Sequence, residues 1–220
     1  MSANIFRTAV YIPIAMLVIA LSGCMATSSF YTGRTLDQGK FSPGIGADDI
    51  LIKSTDNSVS YSTSVAFVPS FLFAYGLPLR LEADARFVIP RLLEVSLRDQ
   101  INPRSFELFD FAPDITIGDL FGGYTYLRYG ASLSKNIGGF EPFVHYSFYH
   151  FMEATSSDIS NSFVSATVSE ITNNDRAIGA GIGIPLGALK LYPEFDYQYF
   201  GNDLKWGIWS FGIGIRGIPK

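Results

Sequence analysis

The sequence predicts an all-β chain closed into an antiparallel up-and-down barrel of about ten strands, with about 8 or 12 as the neighbouring even counts. Three observations carry that expectation. Segments of about ten residues recur in which polar or small residues alternate with large apolar ones, the period of a strand rather than of a helix. Aromatic residues make up 15% of the chain and glycine and proline contribute 21 and 11 residues, while long windows of helix formers are missing. The connections between segments also alternate, one set tight and the other holding every long one.

The first element precedes the barrel. Met1 to Thr8 carries one positive charge, Arg7, and Ala9 to Ala20 is apolar apart from the break at Pro13, the layout of a secretory signal peptide. The run is shorter than the roughly 20 residues a spanning helix needs. Leu21-Ser22-Gly23-Cys24 follows, holding the only cysteine. That ending resembles the lipobox of bacterial lipoproteins, which implies a diacylglycerol on the Cys24 sulfur, cleavage before Cys24 and an acylated N-terminus. The alternative is ordinary cleavage after Ala26, with the cysteine discarded. The chain then divides into a signal peptide over 1–23, a periplasmic N-terminal segment over 24–39, a barrel over 40–216 and a tail over 217–220.

The strands follow in order. Lys40 to Ala47 and Val59 to Gly76 open the series, the second alternating Tyr61, Thr63, Val65, Phe67, Phe71, Phe73 and Tyr75 with serines and small residues. Leu81 to Ile89 sets Ala83, Ala85 and Phe87 against Glu82, Asp84 and Arg86, which a helix would scatter around its circumference. Leu92 to Ile101 sets Leu93, Val95 and Leu97 against Glu94, Ser96, Arg98 and Gln100, with Asp99 the one charge on its apolar face. Phe106 to Ile117 opposes Phe109, Phe111, Ile115 and Ile117 to Asp110, Asp114 and Thr116, and Tyr124 to Lys135 opposes Leu127, Tyr129 and Leu133 to Arg128, Ser132 and Ser134. Phe140 to Met152 places Val144, Tyr146 and Phe148 opposite Glu141, His145, Ser147 and Tyr149. Ala177 to Leu186 sets isoleucines against glycines, Leu189 to Phe200 sets Phe195, Tyr197 and Tyr199 against Glu194, Asp196 and Gln198, and Trp206 to Arg216 ends the set with Trp209, Phe211, Ile213 and Ile215 on one line.

Tight turns fall at Leu77 to Arg80, Asn102 to Arg104, Asn136 to Gly139 and Pro185 to Ala188. The opposite set is Asp48 to Ser58, Pro90-Arg91, Gly118 to Gly123, Glu153 to Asp175 and Gly201 to Asp203. Glu153 to Asp175, dense in Ser, Thr, Asn and Asp, is expected to be an exposed loop suited to partner contact. Tyr75 to Phe87 is similar to hairpins of small bacterial outer-membrane β-barrel proteins, in which a strand closes on Tyr-Gly, turns, and restarts with alternating charges. The resemblance covers nearly the whole mature chain and implies a transmembrane barrel, short turns in the periplasm, a location in the cell outer membrane, and as partners outer-membrane lipids and the barrel-insertion machinery. The chain departs from such barrels in ending on Ile215-Arg216-Gly217-Ile218-Pro219-Lys220 rather than on an aromatic residue.

Periodicity leaves open which face turns inward. A lipocalin-like periplasmic barrel holding a hydrophobic ligand has the same alternation reversed. The membrane orientation is favoured because the polar face is rich in glycine and serine while the other is bulky and aromatic. It encloses Glu82, Asp84, Arg86, Glu94, Arg98, Asp110, Asp114, Arg128, Glu141, His145, Glu194 and Asp196, with carboxylates in excess. Such a set is either a polar network bracing the wall or a porin-like narrow path for a small ion or solute. His145-Tyr146-Ser147 resembles the His-x-Ser element of lipid A deacylases, but continues Phe148-Tyr149 instead of Asn-Ala, and parity puts both side chains away from lipid; a catalytic role is not expected. The net charge of −4 supplies no basic surface for nucleic acid, and no cofactor or metal site is expected from two histidines and one cysteine.

Overall fold

The computed structural model describes residues 28–56, 59–89, 92–103, 108–120, 124–152, 175–199 and 206–218. Ten antiparallel strands close into one barrel in which each is bonded to its neighbours in sequence and the last to the first. They are β1 Phe41–Asp56, β2 Val59–Gly76, β3 Leu81–Val88, β4 Leu92–Asp99, β5 Asp110–Leu120, β6 Tyr124–Ser134, β7 Glu141–Met152, β8 Asp175–Leu186, β9 Leu189–Tyr199 and β10 Trp206–Gly217. Closure pairs every strand on both sides where neighbours overlap, while Val59 to Val68 of β2 extends past the end of β3 and pairs with β1 alone.

Alternation within the strands decides the faces. On β3 and β4 the even residues point inward, and Glu82, Arg86, Glu94 and Arg98 are each only 1% exposed, while Val95 on the outer face is 54% exposed. Ile45, Ile117, Ile178 and Phe195 on other strands are likewise outward and exposed. The lipocalin-like arrangement is therefore reversed: the bulky side chains coat the outside, and the inward face carries charge. Aromatic rings gather outside near both ends, as in the girdles of membrane barrels. Towards the loop end Trp209 lies 4.2 Å from Tyr197 and 5.1 Å from Phe195, and Phe148 lies 4.9 Å from Tyr146 and 5.2 Å from Tyr129. At the short-turn end Phe41 stacks on Phe73 at 6.4 Å.

Several elements differ from the sequence expectation. Asp48 to Ser58 is not an outer loop as far as Asp56, because β1 continues through Ile50, Leu51 and Ile52 in register with both β2 and β10. β2 takes one more residue than β1 between the pairs Asp48–Val68 and Ile50–Val65, so its alternation is interrupted there rather than unbroken. β5 runs to Leu120, which shortens the loop read from Gly118, and β8 begins at Asp175. In the turn between β2 and β3 the chain uses Leu79 and Arg80 at φ 60° and 66°, left-handed positions that usually go to glycine or asparagine.

The largest correction concerns the segment assigned to the periplasm. Residues 28–36 run inside the barrel. Leu36 meets Glu82 near the short-turn end, Thr35 meets Gln100, Thr32 meets Arg98, and Ser28 meets Arg86 further along the lumen. From Gly39 backwards the chain thus turns into the barrel and climbs away from the short turns. The signal peptide, the lipobox with Cys24, and Glu153 to Asn174 lie outside the described residues.

Candidate functional site

The lumen is the site, and cross-strand register builds its wall. β3 presents Glu82, Asp84 and Arg86 inward and β4 presents Arg98, Ser96 and Glu94 directly opposite them. Opposite charges thus face each other at both ends of the hairpin, the arrangement in which cross-strand pairs stabilise a sheet. Arg98 Nη1 lies 3.0 Å from Glu82 and 3.9 Å from Asp84, and Arg216 from β10 reaches the same two carboxylates at 3.5 and 3.4 Å. Arg86 pairs with Asp48 at 2.6 Å and with Glu94 at 3.7 Å. Arg128 lies 3.6 Å from Glu94 and 3.8 Å from Asp114, and donates to Thr116 at 2.9 Å. Two arginines thus flank Glu94, which also accepts a hydrogen bond from the Tyr126 hydroxyl.

The other sequence-selected residues form separate contacts. His145 is clamped between two carboxylates, its Nε2 2.9 Å from Asp196 and its Nδ1 3.4 Å from Glu194. Gly179 makes this possible, since a Cβ there would overlap both the Asp196 carboxylate and the His145 ring. Glu141 pairs with Lys190 at 2.6 Å and accepts from Ser134 at 2.9 Å. Asp110 accepts from Gln100 at 2.7 Å. All twelve residues lie on the inward face, within 9% exposure, but they are distributed along the wall rather than gathered at one reacting centre. His145 and Ser147 both face the lumen and are buried.

The sequence reading leaves out several partners. Asp48 falls in an expected loop, and Arg216, Lys190, Tyr126 and Gln100 stand outside the expected enclosed set although the parity of their strands points them inward. It also leaves out the group that fills the centre. The 28–36 segment supplies backbone donors to carboxylates and backbone acceptors to arginines: Glu194 accepts from the amides of Ser29 at 2.8 Å and Phe30 at 2.5 Å, and Glu82 from that of Leu36 at 2.5 Å. Arg86 donates to the Ser28 carbonyl, Arg98 to that of Thr32, and Arg216 to that of Phe30 at 3.4 Å. These are charge-assisted bonds among buried groups, where they are stronger than in water.

Two aromatic rings complete the filling. Phe30 is fully buried against the cross-strand pair Gly46–Gly214, with the Arg86 guanidinium 5.4 Å from its ring centre, and it clusters with Leu72, Phe143 and Tyr192. Tyr31 lies between Arg98 at 4.7 Å and Arg128 at 5.8 Å and exchanges a hydrogen bond with Ser96 at 3.3 Å. Both are cation–π contacts in a desolvated setting. Among the described residues His145, Glu194 and Asp196 form the one group with metal-ligand geometry. Glu194 is already bonded to two amides, and the imidazole lies between the two acids.

No protein-family model and no curated protein matches the sequence. Among solved structures the chain is similar to an outer-membrane channel from Pseudomonas putida F1, at 9% identity over 88% of this chain and 99% of that one, with a TM-score of 0.49. It is also similar to the transport unit of the autotransporter AIDA-I from Escherichia coli, at 12% identity over 92% and 95% of the two chains and a TM-score of 0.47. Neisserial surface protein A matches at 12% identity over 80% of this chain and 96% of its own, with a TM-score of 0.38. Each is a likeness of form.

Proposed function

We propose that this protein is an outer-membrane β-barrel lipoprotein with a structural role, its lumen closed by its own N-terminal segment. The observation that carries the reading is the inverted polarity of the barrel. Isoleucine, valine and aromatic side chains stand exposed outside while arginine–carboxylate pairs are enclosed, which suits a wall bathed in hydrocarbon and would expose a wide apolar surface in water. An even number of strands and aromatic girdles towards both ends support the same reading. The filled lumen favours bracing over a porin-like path for ions or solutes. The enclosure of His145 between two carboxylates favours a non-enzymatic role, and lipid A profiles unchanged by deletion or overexpression would agree.

Outer-membrane fractionation with gel mobility before and after boiling tests the barrel reading. A heat-modifiable band in the outer membrane is expected, and a freely soluble pool after removal of the anchor would overturn it. Palmitate labelling that disappears in Cys24→Ala tests acylation.

A further inference from the structure

We propose that the lumen is a peptide-binding site, with 28–36 as a ligand carried in cis, and that it accepts a free peptide of the same chemistry: two adjacent aromatic residues, one intervening residue, then glycine. The inference depends only on how the wall holds this segment and does not require lipid outside the barrel. Most of the polar contacts go to main-chain atoms. Carboxylates at Glu194 and Glu82 take amide protons, guanidinium groups at Arg86, Arg98 and Arg216 take carbonyl oxygens, and Gln100 takes the Thr35 amide at 3.3 Å. This is how a receptor holds a peptide with little regard to its side chains.

Selectivity comes from three positions. Phe30 drops into a socket that exists because Gly46 and Gly214 have no Cβ, and a Cβ at either would lie 2.6 or 2.8 Å from the ring. Its backbone is left-handed at φ 53°, so the wall holds the segment in a bend. Tyr31 is gripped between Arg98 and Arg128. Gly33 passes so close to the Asp110 carbonyl and the β6 backbone that any larger residue collides with main chain. Its amide donates to Ser134 at 3.0 Å. The tether at 37–39, by contrast, is exposed and adds no buried side chain to the site. Its contribution is to hold the ligand at a high effective concentration.

The test uses the full chain with a protease site inserted between Gln38 and Gly39. The folded protein is cut in detergent micelles and mixed with excess fluorescent synthetic peptide of sequence Ser28 to Leu36. One labelled peptide per barrel is expected to enter, followed by anisotropy, with the cut segment displaced from the lumen of a Cys24→Ala chain that carries no acyl group, and the uncut protein taking up none. Phe30→Ala or Gly33→Val in the peptide is expected to weaken entry at least tenfold. If the cut segment stays through prolonged competition, or a scrambled peptide enters equally well, the proposal fails. Should cutting abolish the heat-resistant band, uncut protein carrying Phe30→Ala in its own segment is used instead. Displacement of that weakened segment by the free peptide supports the site, and no uptake overturns it.

Discussion

Arg98 shows what a single lumenal side chain does. It is 1% exposed, touches Glu82 and Asp84, and donates to the Thr32 carbonyl of the enclosed segment. Removing one partner of a buried ion pair leaves the other charge uncompensated, at a cost of about 3–5 kcal/mol. Arg98→Ala is therefore expected to lower the unfolding free energy in urea by that amount, followed by loss of the heat-modifiable mobility difference, whereas an exposed site such as Arg34 should be near neutral. Gly179→Ala should cost about 1–3 kcal/mol by the same assay, because its methyl must push His145 from Asp196. Positions like these were readable from parity alone: a charge recurring at every second residue opposite an apolar line has one enclosed or one solvated face to go to. Asp48 was not readable, since Asp48-Asp49 after two glycines looks like the start of a turn, and only the paired ladder beyond it shows a strand.

At the level of the element, the β3–β4 hairpin is held by charge complementarity written into its register. Glu82 faces Arg98 and Arg86 faces Glu94 across the two strands, so a slip by one residue would turn all four into the surrounding medium. A double-mutant cycle with Glu82→Gln and Arg98→Met should return a coupling of about 0.5–3 kcal/mol, larger than for pairs of outward residues on the same strands. The preceding turn is the weak part of this unit. Leu79 and Arg80 hold left-handed backbone at about 1–2 kcal/mol per residue. Leu79→Asn should raise the unfolding free energy by about 1 kcal/mol while leaving the Arg80 carbonyl bonded to Thr35. The strand count and the turns at Leu77 to Arg80, Asn136 to Gly139 and Pro185 to Ala188 were visible in the sequence because each is a local signal, whereas β4 ends at Asp99 and β5 begins at Asp110, a longer connection than the tight turn read at Asn102 to Arg104. The interruption in β2 was not, since Tyr61 to Tyr75 keeps an odd-numbered apolar series straight through the register shift.

For the whole molecule, the outer coat and the filled centre make separate predictions. Val95 stands on the outer face midway along β4, so Val95→Arg should destabilise the barrel in bilayers by about 2–4 kcal/mol, and by much less if the exterior faces water. The 28–36 segment had no periodicity to betray it. A hint was present in the surplus of lumenal carboxylates over cations, which had to find donors, and the amides of Ser29, Phe30 and Leu36 are those donors. Its position bears on how the ring is completed. Phe30 rests on Gly46 of the first strand and Gly214 of the last, which face each other across the seam where the two ends of the sheet join. Closing that seam in register completes the seat for the phenyl ring. A joint slipped by one residue would offer the ring Ile45 or Ile213 in place of a glycine, so the leading segment acts as a gauge of the alignment.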